Sequence, residues 1–155
     1  MKQRSTRRLK RHSGATLITA GLIALSTVFF VPSAQAAEYN SPFNVYGPVL
    51  GYNYKNQSTA YNTAPYQAWG RVRTADSSVL VPPGYMGAQV TLYRNGVRCR
   101  TAAMNYSQYN NNAWNVYTTG GTCGTGVYYA KGSTAAYNGN GYNTYYTAQS
   151  PSFNG

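Results

Sequence analysis

Acidic residues and histidine are nearly missing from this chain. Of 155 residues, two are acidic, Glu38 and Asp76, and one is histidine, His12. A serine or cysteine nucleophile needs a base, most often an imidazole, and His12 lies in an N-terminal stretch that reads as a leader. A glycosidase pair of carboxylates would have to be Glu38 and Asp76, and nothing in the sequence around Glu38 holds it in place. Zinc and calcium sites need more Cys, His or oxygen ligands than Cys99, Cys123 and two carboxylates supply. The glycines between 120 and 126 lack the lysine and the strand–loop–helix setting of a phosphate cradle. A Ser–Lys dyad through Lys55 or Lys131 is the one hydrolytic arrangement left. The composition therefore argues against an enzyme and implies no cofactor and no metal.

Helical periodicity is missing after residue 36, and Leu, Ile, Val and Phe are scarce there. Tyrosine takes their place: all 17 tyrosines lie beyond the leader. With abundant Asn, Gly, Ser and Thr, this is the composition of an extracellular all-β protein.

The first 36 residues have the anatomy of a secretory signal peptide. Lys2, Arg4, Arg7, Arg8, Lys10 and Arg11 form a basic start, Ala15 to Val31 an uncharged apolar run, and Ala34-Gln35-Ala36 a small-x-small cleavage pattern. Arg7-Arg8 has the look of a twin-arginine signal, but Lys10 stands where that pattern needs an apolar residue. The expected product is secreted and extracellular, with no stable membrane anchor once the leader is removed. Six of the 13 basic residues leave with it. Seven then face two acids, a net charge of +5. That suits an anionic surface such as a wall polymer and does not by itself indicate nucleic acid.

Two cysteines in an exported chain pair most simply with each other, as Cys99–Cys123. Cys99 belongs to the stretch around which the rest is organised. Asn95-Gly96 is the preferred pair for a two-residue type I′ turn, since both positions need positive φ. Strands on either side would pair Arg94 with Val97, Tyr93 with Arg98, Leu92 with Cys99 and Thr91 with Arg100. In that register Ala88, Val90, Leu92, Cys99 and Thr101 face inward. Tyr93, Arg98 and Arg100 face outward, with Tyr93 and Arg98 near enough for a cation–π contact.

Further strands are expected at Gln67–Thr74, Trp114–Thr118, Val127–Lys131 and Tyr142–Gln149. The resulting fold class is all-β: a small antiparallel β-sandwich, with a small barrel as the alternative. Residues 67–155 are expected to form it. Residues 37–66 read as an irregular Tyr/Asn-rich arm, interrupted at Ser41-Pro42, Gly47-Pro48, Gly51 and Pro65 and partly disordered around Tyr52 to Thr63.

The candidate binding face combines Arg71, Arg73, Tyr93, Arg98 and Arg100 with Trp69. Alternating arginines are more often the solvated side of a sheet that discourages edge pairing. Trp69 and Trp114 are read first as core residues, and only second as a platform on which sugars stack.

Val81-Pro82-Pro83-Gly84-Tyr85-Met86-Gly87, Tyr137 to Tyr146 and Ser150-Pro151 resemble stretches of small secreted Tyr/Asn/Gly-rich proteins of Gram-positive bacteria, of actinobacterial type. Those proteins have no assigned function. The resemblance covers Gly70 to the C-terminus, implies a bacterial exported domain, and carries over no functional residue. Two functional classes follow from the whole reading. The first is a non-enzymatic secreted protein that binds an anionic cell-wall polymer or carbohydrate through a basic and aromatic face. The second is a secreted antagonist, bacteriocin-like or protease-inhibiting, acting through a loop such as Tyr106 to Asn112.

Overall fold

A computed structural model describes residues 37–155; the leader expected at residues 1–36 lies outside the described residues. Ten strands and no helix make up this part: β1 Glu38–Asn40, β2 Asn44–Val49, β3 Tyr52–Tyr61, β4 Gln67–Thr74, β5 Met86–Arg94, β6 Val97–Tyr106, β7 Ala113–Tyr117, β8 Val127–Tyr137, β9 Tyr142–Tyr146 and β10 Phe153–Asn154. All pairings are antiparallel. They form two sheets rather than one closed barrel. The first has the order β1-β3-β4-β7, with β2 also on β3; the second has the order β10-β8-β5-β6, with β9 also on β8.

Alternation explains the layers. In β4, Ala68, Gly70, Val72 and Thr74 are buried while Gln67, Trp69, Arg71 and Arg73 are half-exposed. In β5, Met86, Ala88, Val90 and Leu92 point inward. With Tyr54, Tyr128, Val81 and Phe153 they fill the space between the sheets. Gly70 sets the closest approach of the layers. A Cβ there would lie 3.0 Å from both the Gln89 carbonyl oxygen and Val90 Cβ, so only glycine lets β4 pack this tightly on β5.

The stretch 37–66 is not an irregular arm. It supplies three strands, and β3 lies inside the first sheet, paired with β1 and β2 on one side and β4 on the other. Its inward side chains, Tyr54, Asn56, Ser58 and Ala60, are completely buried. The donors of Asn56 and Ser58 find acceptors on the opposite sheet and on the segment after β9, while Asn56 Oδ1 has no partner among the described residues. Ser58 Oγ donates to the Ala148 carbonyl (2.7 Å), and Asn56 Nδ2 donates to Thr134 Oγ1 (2.9 Å) and the Tyr145 carbonyl (3.2 Å). Such partners make burial of a polar strand tolerable. Pro48 sits on the short strand β2 where its register with β3 becomes irregular, a position at which proline removes no needed donor. The sandwich therefore comprises 37–155 rather than 67–155.

The central hairpin forms with its expected turn. Asn95 and Gly96 both have positive φ, 49° and 79°. Arg94 pairs with Val97 and Tyr93 with Arg98, after which the register shifts and Leu92 faces Arg100. The extra residue is Cys99, in a β-bulge. The disulfide to Cys123 is present, with Cα atoms 6.0 Å apart, and Cys99 packs against the core. The bulge moves Arg100 out of the Tyr93–Arg98 row.

Candidate functional site

The six candidate residues do not converge. Trp69, Arg71 and Arg73 project from the outer face of the first sheet, and Tyr93 and Arg98 from the outer face of the second, on the opposite side of the sandwich. Arg100, displaced by the bulge, joins neither. Its guanidinium lies against Gly121, so close that a Cβ there would come within 2.7 Å of Arg100 Nε.

On the first sheet, Trp69 is enclosed rather than offered. The Arg71 guanidinium lies 3.7 Å from the centre of its ring. Tyr117 stacks on it at 5.5 Å and 10°, and Tyr61 at 6.3 Å and 26°. These are cross-strand contacts over β3, β4 and β7, worth about 0.5–1.5 kcal/mol each beyond area burial. Arg71 is held again by Asn115, whose Oδ1 accepts from Nε at 3.2 Å. Burial, then the neighbouring Arg73, lowers the pKa of Arg71. Burial and nearby Glu38 push the Tyr61 hydroxyl up to about 12. Arg73 and Lys55 both lean toward the Phe43 ring, at 5.9 and 5.6 Å. Both acids of the described chain lie on this side: Glu38 opposite Tyr61, and Asp76 in the loop just after β4. A sugar platform on Trp69 is closed by its own neighbours.

The second sheet is different. Its outer face holds a groove of about 370 Å³ lined by Gln89, Thr91, Tyr93, Arg98, Lys131, Gly132, Ser133, Tyr146 and Thr147. Strand alternation builds it. Gln89, Thr91 and Tyr93 come from β5, paired one for one with Ser133, Lys131 and Tyr129 of β8. Arg98 comes from β6 opposite Tyr93, and Tyr146 from β9 opposite Ser133. The floor is organised by its own hydrogen bonds. Gln89 Nε2 donates to Ser133 Oγ (2.7 Å), the Thr91 and Thr101 hydroxyls meet at 3.0 Å, and Thr147 Oγ1 accepts from the Gly132 N–H (2.9 Å). Tyr93 stacks on Tyr129 at 5.1 Å and 9°. The expected Tyr93–Arg98 cation–π contact is therefore replaced: the Tyr93 face is spent on Tyr129, and the cation over Tyr129 is Lys131, 5.6 Å away.

Among the described residues two cations and no carboxylate line this groove, and Arg98 and Lys131 are both exposed. Two strand spacings and one two-residue step separate them, on the order of 12 Å between backbones. Among the described residues no three His, Cys, Asp or Glu side chains gather as metal ligands would. Sequence reasoning found Tyr93 and Arg98 but missed Lys131 and Tyr146. Lys131 continues the phase of Val127 and Tyr129, a readable signal; that β8 lies beside β5 is not written locally. Comparison with protein-family models, curated proteins and solved structures finds no match for this chain.

Proposed function

We propose that this is a secreted, non-enzymatic protein that binds an anionic cell-envelope polymer through the groove on the outer face of the second sheet. One observation carries the reading: among the described residues the groove's only charges are Arg98 and Lys131, and its remaining polar lining is hydroxyl and amide. Unopposed cations in a shallow recess attract polyanions, and salt weakens that attraction because the groups are exposed. Two cations on separate strands, with backbones on the order of 12 Å apart, suit a chain of repeating anions. Hydroxyls and an amide already ordered by mutual contacts lower the entropic cost of recognising a polyol or sugar chain. The alternative, an antagonist presenting Tyr106–Asn112, has less support. That loop is tied down: Ser107 is buried, its carbonyl accepts from the Gly84 N–H at 2.7 Å, and Val81 bridges to Asn111.

The test is retention of purified protein on Gram-positive cell wall over a salt series. Salt-sensitive retention is expected, weakened roughly tenfold when Arg98 and Lys131 are both changed to alanine, since exposed ion pairs contribute up to about 1 kcal/mol each. Retention that ignores both salt and the double substitution would overturn the proposal.

A further inference from the structure

Tyrosine rings in this domain are almost all spent on one another. Sixteen of the 17 tyrosines stack or tilt against another aromatic ring among the described residues. Tyr146 is the exception. It is also the most exposed large hydrophobic residue of the domain, at 76%, and it lines the groove that holds Arg98 and Lys131. Its backbone is fixed: its carbonyl accepts from Asn44 Nδ2 at 3.2 Å, and β9 pairs it with Ser133. A well-anchored residue thus holds an unpartnered ring over a recess floored by hydroxyls and an amide.

From this juxtaposition we infer that the groove takes an acidic polysaccharide, one sugar ring stacking on Tyr146 while carboxylates of the same chain meet Lys131 and Arg98. The inference rests on the polymer-binding reading above and narrows it. The C–H-rich face of a pyranose is apolar and matches the face of an aromatic ring; the ring hydroxyls match the half-exposed Gln89 amide and Thr147 hydroxyl. A polyol phosphate chain offers the charge but no ring to stack. Single-stranded nucleic acid offers both, yet its binding sites use successive free aromatic rings beneath successive bases, and here Tyr93 and Tyr129 are already stacked on each other.

The experiment compares polygalacturonate, poly(glycerol phosphate) and single-stranded DNA as ligands of the full protein, by calorimetry at one ionic strength. Polygalacturonate is expected to bind tightest. Tyr146→Ala should weaken it roughly tenfold, the factor one stacked ring contributes, and leave poly(glycerol phosphate) within twofold. Tyr146→Phe should retain binding, because the ring and not the hydroxyl makes the contact. Lys131→Ala should weaken both polymers. If Lys131→Ala weakens polygalacturonate and Tyr146→Ala does not, the stacking inference falls while polymer binding stands. It falls equally if poly(glycerol phosphate) or DNA binds as tightly as polygalacturonate. If neither polymer binds, both readings fall. Tyr146 is exposed, so an unchanged melting temperature should accompany its substitution.

Discussion

Replacing Tyr54 with phenylalanine should stabilise the protein and blunt its sensitivity to alkali. Tyr54 is completely buried on the inner face of β3, and its hydroxyl finds no hydrogen-bond partner among the described residues. An orphaned buried hydroxyl costs about 1–3 kcal/mol. Its removal without change of ring shape should therefore raise stability at pH 7 by about 1 kcal/mol, or roughly 3–6 °C in melting temperature for a domain of this size. The pH effect follows from the same burial. Burial first, then the neighbouring Tyr52 and Tyr85, pushes Tyr54 from its ordinary 10.0 up to about 12. The folded-state value is raised, so the native state disfavours ionisation. Its contribution is present below pH 10 and is lost as pH climbs from 10 through 12. Solvent screening leaves the loss on the order of 1 kcal/mol. Urea unfolding of wild type and Tyr54→Phe at pH 7, 9, 10, 11 and 12 measures this. The gap between them should start near 1 kcal/mol and widen only above pH 10, whatever Tyr46 and Tyr61 add to both proteins alike. A variant less stable than wild type at pH 7, or a gap flat to pH 12, would refute the reasoning.

Other substitutions probe the frame. Cys99→Ser opens a link between residues 24 apart in sequence, so a loss of about 3 kcal/mol is expected in the chain-entropy picture, and reduction of wild type should lower its melting temperature by a matching amount. Gly70→Ala forces a methyl to within 3.0 Å of Gln89 and Val90 across the layers; a loss of about 1–3 kcal/mol by denaturant unfolding is expected. Asn95→Ala keeps a non-glycine residue at a φ of 49° and removes the Oδ1 that accepts from the Val127 N–H at 2.8 Å. Thermal melting should show a loss of about 1–2 kcal/mol.

Several features were legible because they are written locally. Gln67–Thr74 alternates small or apolar residues with large polar ones, and β4 has those bounds. Asn95-Gly96 names its own turn, because few other pairs tolerate two positive φ values. The bulge at Cys99 leaves only a faint trace: Cys99 and Ala102 both pack against the core, and a three-residue step between inward positions breaks a period of two. The strand β3 leaves none. Its inward residues include Asn56 and Ser58, which look like loop composition until β8 and the segment after β9 supply their acceptors.

The same division runs through the site. By itself the chain determined an all-β domain, one disulfide, a scarcity of acid and a surplus of exposed cations, since each depends on residue type or on neighbours a few positions apart. Which cations share a face was decided only by the tertiary structure. Sheet order is set by contacts between distant strands, and a single extra residue at Cys99 sends Arg100 away from Arg98. Pairing of β8 with β5 and β9 brings Lys131 and Tyr146 to the groove instead. Enclosure of Trp69, and the one tyrosine ring left without an aromatic partner among the described residues, are likewise outcomes of packing that no local pattern encodes.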